Sequence, residues 1–217
     1  MIVECVGLPG SGKSSFLREL FLEAEPRFKR VVIPNKGERI VWFFLAGLRH
    51  PCIVARFMRA SFQQPKILRR YVFTLCATSL AETQKAAHLS WGHPKNVYFL
   101  DEGLLQRTLS CFSVSEFEDV YALLRSMDRE RVYLFFKGGR FDRFEKDEDA
   151  KQSPRIQAGE EVYKQWKTAL IQSCTWLEKV TINDPRVIAL DNTDRPDRRT
   201  LIALLKERLQ NLNAFSS

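Results

Sequence analysis

Eight consecutive residues near the N-terminus can hold a chain of phosphates. The run Gly7-Leu8-Pro9-Gly10-Ser11-Gly12-Lys13-Ser14 follows the apolar segment Ile2-Val3-Glu4-Cys5-Val6 and fits G-x-x-x-x-G-K-[ST] in its required place between a strand and a helix. Glycines let the backbone bend until successive N–H groups point inward, and a helix opening at Lys13 adds its positive end. Lys13 is expected to reach the β- and γ-phosphates of ATP, and Ser14 to ligate Mg²⁺ through its hydroxyl. Ser15 is its neighbour in the same cradle. A second chemical group follows Val97-Tyr98-Phe99-Leu100, where an apolar strand ends in Asp101-Glu102. A carboxylate at that place suits the magnesium hydration shell, which assigns Asp101 to the metal.

These groups need a frame. Residues 2–6, 30–33, 96–100, 131–136 and 186–190 are short apolar runs without alternation, the pattern of parallel strands covered on both faces. Helical periodicity separates them, over 13–23, two or three helices between 38 and 90 broken near Pro51 and Pro65, 104–112, a helix capped by Ser115 and Glu118, 158–179 and 196–212. Proline near the start of the last, after Thr193 or Asp194, suits a helix N-terminus. Strands alternating with helices predict an α/β fold, a three-layer α/β/α arrangement around a five-stranded parallel sheet, with a helical insertion after strand 2 and a lid after strand 4. Residues 1–217 are expected to form one domain, since 45% hydrophobic and 28% charged residues are ordinary globular usage.

Five scattered cysteines without a C-x-x-C pair, and three histidines without ligand spacing, argue for reduced thiols rather than a zinc site. No basic, cleavable leader precedes the first strand, which predicts a cytoplasmic protein. The net charge of +8 suits an anionic partner without choosing one. Its distribution is uneven: between Glu38 and Glu82 there is no acidic residue, while Arg39, Arg49, Arg56, Arg59, Lys66, Arg69 and Arg70 supply cations.

GLPGSGKSS at the first strand, LDEG at the third, an arginine-studded segment after the fourth and LDNTDRP after the fifth resemble the nucleoside and nucleotide kinase group of P-loop kinases. The resemblance implies a lid whose arginines close over the triphosphate. Residues 138–156 are similar to such a lid, with Gly138-Gly139 as hinge and Arg140 and Arg143 as the catalytic cations, because the guanidinium fork spans phosphate oxygens in fixed geometry. It also implies that the loop beginning Asp191-Asn192 packs on adenine. The thymidylate kinases carry an Asp-Arg pair, and the deoxynucleoside kinases Glu-Arg-Ser, where this chain has Asp101-Glu102-Gly103, so neither subfamily is matched. A GTP-binding N-K-x-D and a transporter L-S-G-G-Q are both absent.

On the same resemblance the acceptor lies among Glu38, Arg39, the helices of residues 38–92 and Arg107. Glu102 is the first choice for a base or acceptor-orienting group, with Glu38 second. The D-E pair equally suits an ATPase that positions water. Two functional classes therefore stand: a small-molecule kinase acting on a nucleoside, nucleotide or sugar-like acceptor, and a nucleotide-switched ATPase that binds RNA, a protein or a membrane surface. No stable nucleic-acid partner is expected, for the positive charge lacks interleaved surface aromatics. The apolar run 42–48 is too short to span a bilayer, yet its mixture with cations would suit a peripheral membrane contact or a lipid-linked acceptor.

Overall fold

In the computed structural model, which describes residues 1–22, 25–112, 114–127, 131–138, 141, 145, 153–181, 184–191 and 198–214, the first strand is the centre of the molecule. All six residues of β1 (Ile2–Gly7) are buried. It lies between β3 (Val97–Leu100) and β4 (Arg131–Lys137), with Ile2 opposite Tyr98 on one side and Arg131 on the other. Outside them are β2 (Phe28–Arg30) and β5 (Val187–Asp191), giving the order β2-β3-β1-β4-β5 with every pairing parallel. The expected sheet is therefore present.

Because side chains alternate across a strand, β1 serves two layers. Val3 and Cys5 pack with Phe16, Leu17 and Leu20 of α1 (Lys13–Leu22) and with Leu201, Ile202 and Leu205 of α9 (Arg198–Ala214). Val6 faces the other layer, where Leu104 and Leu105 of α5 (Leu104–Cys111), Phe117 and Tyr121 of α6 (Val114–Met127) and Leu170 of α8 (Glu160–Thr181) form the larger core. Between β2 and β3 the chain makes α2 (Lys36–Arg49), α3 (Pro51–Gln63) and α4 (Lys66–Gly92). Pro51 takes the first turn of α3 and Pro65 caps α4, where their missing N–H groups have no helical acceptor to lose.

Three boundaries differ from expectation. β2 ends at Arg30, Val31 adds one more bond to Phe99 O (3.0 Å), and Val32 and Ile33 then leave the sheet edge and are exposed. The expected helix over 158–179 is present as α8, which starts two residues later at Glu160, and a separate short helix, α7 (Pro154–Gln157), precedes it, with Gly159 between them at φ +109°. α6 begins at Val114, which puts Ser115 inside the first turn rather than at the cap. The cap expected at Thr193 or Asp194 lies outside the described residues.

Candidate active site

The loop from Gly7 to Gly12 leaves the carboxyl end of β1 and delivers Lys13 to the start of α1. Gly7, at φ +152°, lies so close to β4 that a Cβ there would sit 2.6 Å from Phe136 O, so no side chain fits. Lys13 is buried and folds back onto its own loop, donating from Nζ to Gly7 O (2.9 Å), Leu8 O (3.0 Å) and Ser11 Oγ (3.4 Å). Burial lowers its pKa, with Glu102 foremost among the charges that oppose the shift. Ser14 and Ser15 open toward the same cleft.

Across from the cradle, β3 ends in Asp101 and Glu102. Arg30 of β2 donates to Asp101 Oδ2, whereas Asp101 Oδ1 is buried without a hydrogen-bond partner among the described residues. Asp101 does not line the cleft beside the loop, but its charge acts on buried Lys13, and a carboxylate oxygen without a partner fits a hydrated cation, so Asp101 and Ser14 are chemically suited to Mg²⁺. Glu102 is paired with Arg107, whose Nε also donates to Ser79 Oγ (3.2 Å), and Ser79 Oγ in turn donates to Glu102 O (3.2 Å). The acid and the arginine are thus held on one scaffold of α4 and α5.

Under this scaffold is a charged group that the sequence reading did not single out. Glu4, on β1, is fully buried and accepts from the backbone N–H groups of Leu105 (2.5 Å) and Gln106 (3.1 Å) through Oε1, while Arg131 approaches Oε2 (3.4 Å). It does for α5 what an N-cap side chain would do, since the cap residue is Gly103 and has none. Burial raises the Glu4 pKa, against the pull of Arg131 and of the two backbone bonds. Gln106 completes the link by accepting from Gly7 N at 2.9 Å, so the base of the cradle and the first turn of α5 are joined directly.

The cleft between these parts has a volume of about 770 Å³. The cradle from Pro9 to Ser15 forms one wall; Glu102 and Arg107 face it, with Tyr71 and Leu75 of α4, and Trp166 of α8, supplying apolar surface. Arg155 of α7 also lines it, lying 4.8 Å from the Trp166 ring centre and 4.0 Å from Cys111 Sγ. Leu8 and Asp191 instead line a smaller cavity of about 270 Å³ at the ends of β4 and β5. Glu38 and Arg39 do not line the main cleft. Glu38 is engaged in a capping box with Asn35 and an ion pair with Lys85 (3.3 Å), and Arg39 Nε is buried without a partner among the described residues. Arg140, Arg143 and Asn192 lie outside the described residues.

Tyr71 and Trp166 line the cleft without a motif to mark them; Glu82 of α4 does not line it but lies within electrostatic reach of Arg107 and Glu102. Glu82 is 9% exposed, and its carboxyl is pushed up to about 7, chiefly by burial; Arg107 and Arg39 pull it down, and Glu102 and Asp101 push it further. Its only sequence signal was its place at the end of the acid-free stretch.

No family model matches the chain, and no curated protein matches it either. Among solved structures, the deoxyadenosine kinase from M. mycoides with bound dATP is similar over 97% of this chain and 100% of that one, at 15% identity and a TM-score of 0.52. The chain has the P-loop nucleoside-kinase fold. Structures of the same M. mycoides enzyme with the products dCMP and dCDP, and with dCTP, align at 14% and 15% identity with TM-scores of 0.48 and 0.46. In a nucleoside-kinase fold, as in open parallel sheets generally, ligands sit beyond the carboxyl ends of the strands. There this chain places the cradle after β1, Asp101 and Glu102 after β3, and Asp191 at the end of β5.

Proposed function

We propose that the chain is a Mg²⁺- and ATP-dependent kinase that transfers the γ-phosphoryl group to a hydroxyl or phosphate of a small acceptor, a nucleoside, nucleotide or sugar-like molecule. The observation that carries this reading is a single cleft of about 770 Å³ shared by the phosphate cradle and by Glu102, Arg107, Tyr71 and Trp166. That is room for a triphosphate and a small molecule together, with aromatic surface for the latter.

The empty cradle satisfies Lys13 with Gly7 O, Leu8 O and Ser11 Oγ. Phosphate oxygens would replace those acceptors, and their charge would favour the protonated amine that burial disfavours. Mg²⁺ held by Ser14 and Asp101 would offset charge on the β- and γ-phosphates. Arg30 fixes the Asp101 carboxylate by one oxygen and leaves the other for this task. Arg107 fixes Glu102 through Oε2, leaving Oε1 to accept from the acceptor hydroxyl and align it for attack. Three further assignments belong to the same proposal: Arg140 and Arg143 as lid cations, Asp191 and Asn192 against adenine, and a cytoplasmic setting.

The test is the fate of the γ-phosphate across a panel of nucleosides, nucleotides and sugars. Transfer to one of them is expected, and Glu102→Gln should lower it by roughly 10²–10⁴-fold with ATP affinity unchanged. Release only as free phosphate across the panel would overturn the kinase in favour of a nucleotide-switched ATPase.

A further inference from the structure

We propose that the outer face of α2 docks the chain on an anionic lipid bilayer. Ile40, Val41, Phe44, Leu45 and Leu48 are all exposed, Phe44 at 68% and Leu48 at 82%. Their spacing of i, i+1, i+4, i+5 and i+8 puts them on one side of a helix. The opposite side is committed to the protein: Ala46 is buried, Trp42 lies 5.3 Å from the His88 ring and Phe43 lies 6.3 Å from that of Phe73. Val32 and Ile33, in the segment that leads into α2, are exposed as well. Single exposed apolar residues are ordinary, but a continuous stripe marks a contact. None of these residues lines the cleft.

Charge identifies the occupant. No acidic residue occurs between Glu38 and Glu82, and Arg49, Arg59, Lys66, Arg69 and Arg70 are exposed within that stretch. Arg49, the last residue of α2, lies 3.9 Å from the centre of the Trp91 ring, itself 61% exposed. Tryptophan and arginine together suit the headgroup layer, where one end is apolar and the other wet. A second copy of the chain fits less well, because a two-fold contact sets a patch against itself, and the segment between Glu38 and Glu82 has no carboxylate to offer its own cations. Spanning is also disfavoured. No single helix among the described residues is long and apolar enough to cross a membrane, and the pair α2 and α3 is bent by 117°. α3 buries Ile53 and Phe57 in the core, so its apolar side is already used. A helix lying in the interface plane, apolar side down, remains.

The proposal does not depend on the kinase reading. Its test is flotation of the full chain with vesicles of phosphatidylcholine alone and with about one-third phosphatidylserine. The wild type should float with the anionic vesicles, far less with the neutral ones, and less as salt screens the cations. Phe44→Glu combined with Leu48→Glu should lower partitioning at least about tenfold without changing ATP affinity or the circular dichroism spectrum. If that pair does not fold, Leu48→Ser alone should still lower partitioning several-fold. The proposal fails if the wild type does not float, if flotation is indifferent to these substitutions, or if the wild type is a dimer that the substitutions disperse and no vesicle binding is seen.

Discussion

Gly103 carries the sharpest stability prediction. A Cβ added there would lie 2.4 Å from Glu4 Cδ, 2.6 Å from Oε2 and 2.7 Å from Cγ, all far inside van der Waals contact. Glu4 has nowhere to retreat, because it is fully buried, bonded to Leu105 N and Gln106 N and flanked by Arg131. Gly103→Ala must therefore displace the carboxylate or the start of α5. Overpacking of a core costs about 1–3 kcal/mol, and a hydrogen bond to a charged group contributes about 1.5–3 kcal/mol. A loss of about 3–5 kcal/mol is expected, which urea denaturation would report as a midpoint lower by about 1–2 M. Because the cause is Glu4, the effect should depend on it. In a Glu4→Ala background, Gly103→Ala should cost less than about 1 kcal/mol, and the double-mutant cycle should depart strongly from additivity. Additive effects, or a Gly103→Ala protein as stable as the wild type, would refute the argument.

Two other outcomes follow from buried ionisable groups. Glu82 binds its proton more tightly in the folded state, with its pKa moved from the ordinary 4.5 to about 7, so its contribution is favourable below about pH 4.5 and is lost as pH rises through about 7. Glu82→Gln should match the wild type near pH 4.5 and be more stable by up to about 3 kcal/mol above pH 7. A stability difference that does not vary with pH over that range would disprove the assignment. Lys13→Ala should weaken ATP binding at least about tenfold by calorimetry while the thermal midpoint moves little, and undiminished affinity would remove Lys13 from the cradle.

The sheet, the cradle and the strand-end carboxylates were legible in the sequence because each is local. A glycine loop between an apolar strand and a helix, or Asp101-Glu102 after a buried run, can be recognised from neighbours along the chain. The two proline breaks in the insertion were legible for the same reason. What was not legible depends on residues distant in sequence. Glu4 reads as an odd acid in a strand until α5 is placed above it, and Gly103 reads as a turn until Glu4 lies under it. Tyr71 and Trp166 are apolar residues on periodic helices, and only the packing of α4 and α8 decides that they face the cleft. Glu38 looked available for an acceptor, but its local capping box and Lys85 compete for it.

The central place of β1 has a kinetic corollary. Its partners are Tyr98 to Leu100 on one side and Arg131 to Phe136 on the other, so the strand that is most enclosed in the finished sheet is translated long before either neighbour exists. At ribosomal speeds that interval is on the order of ten seconds. During it Ile2, Val3, Cys5 and Val6 have no sheet to join, and β1 can be incorporated only after both flanking segments have emerged. Topology of this kind makes folding slow, and nascent chains of this protein should engage holdase chaperones until β4 has been synthesised.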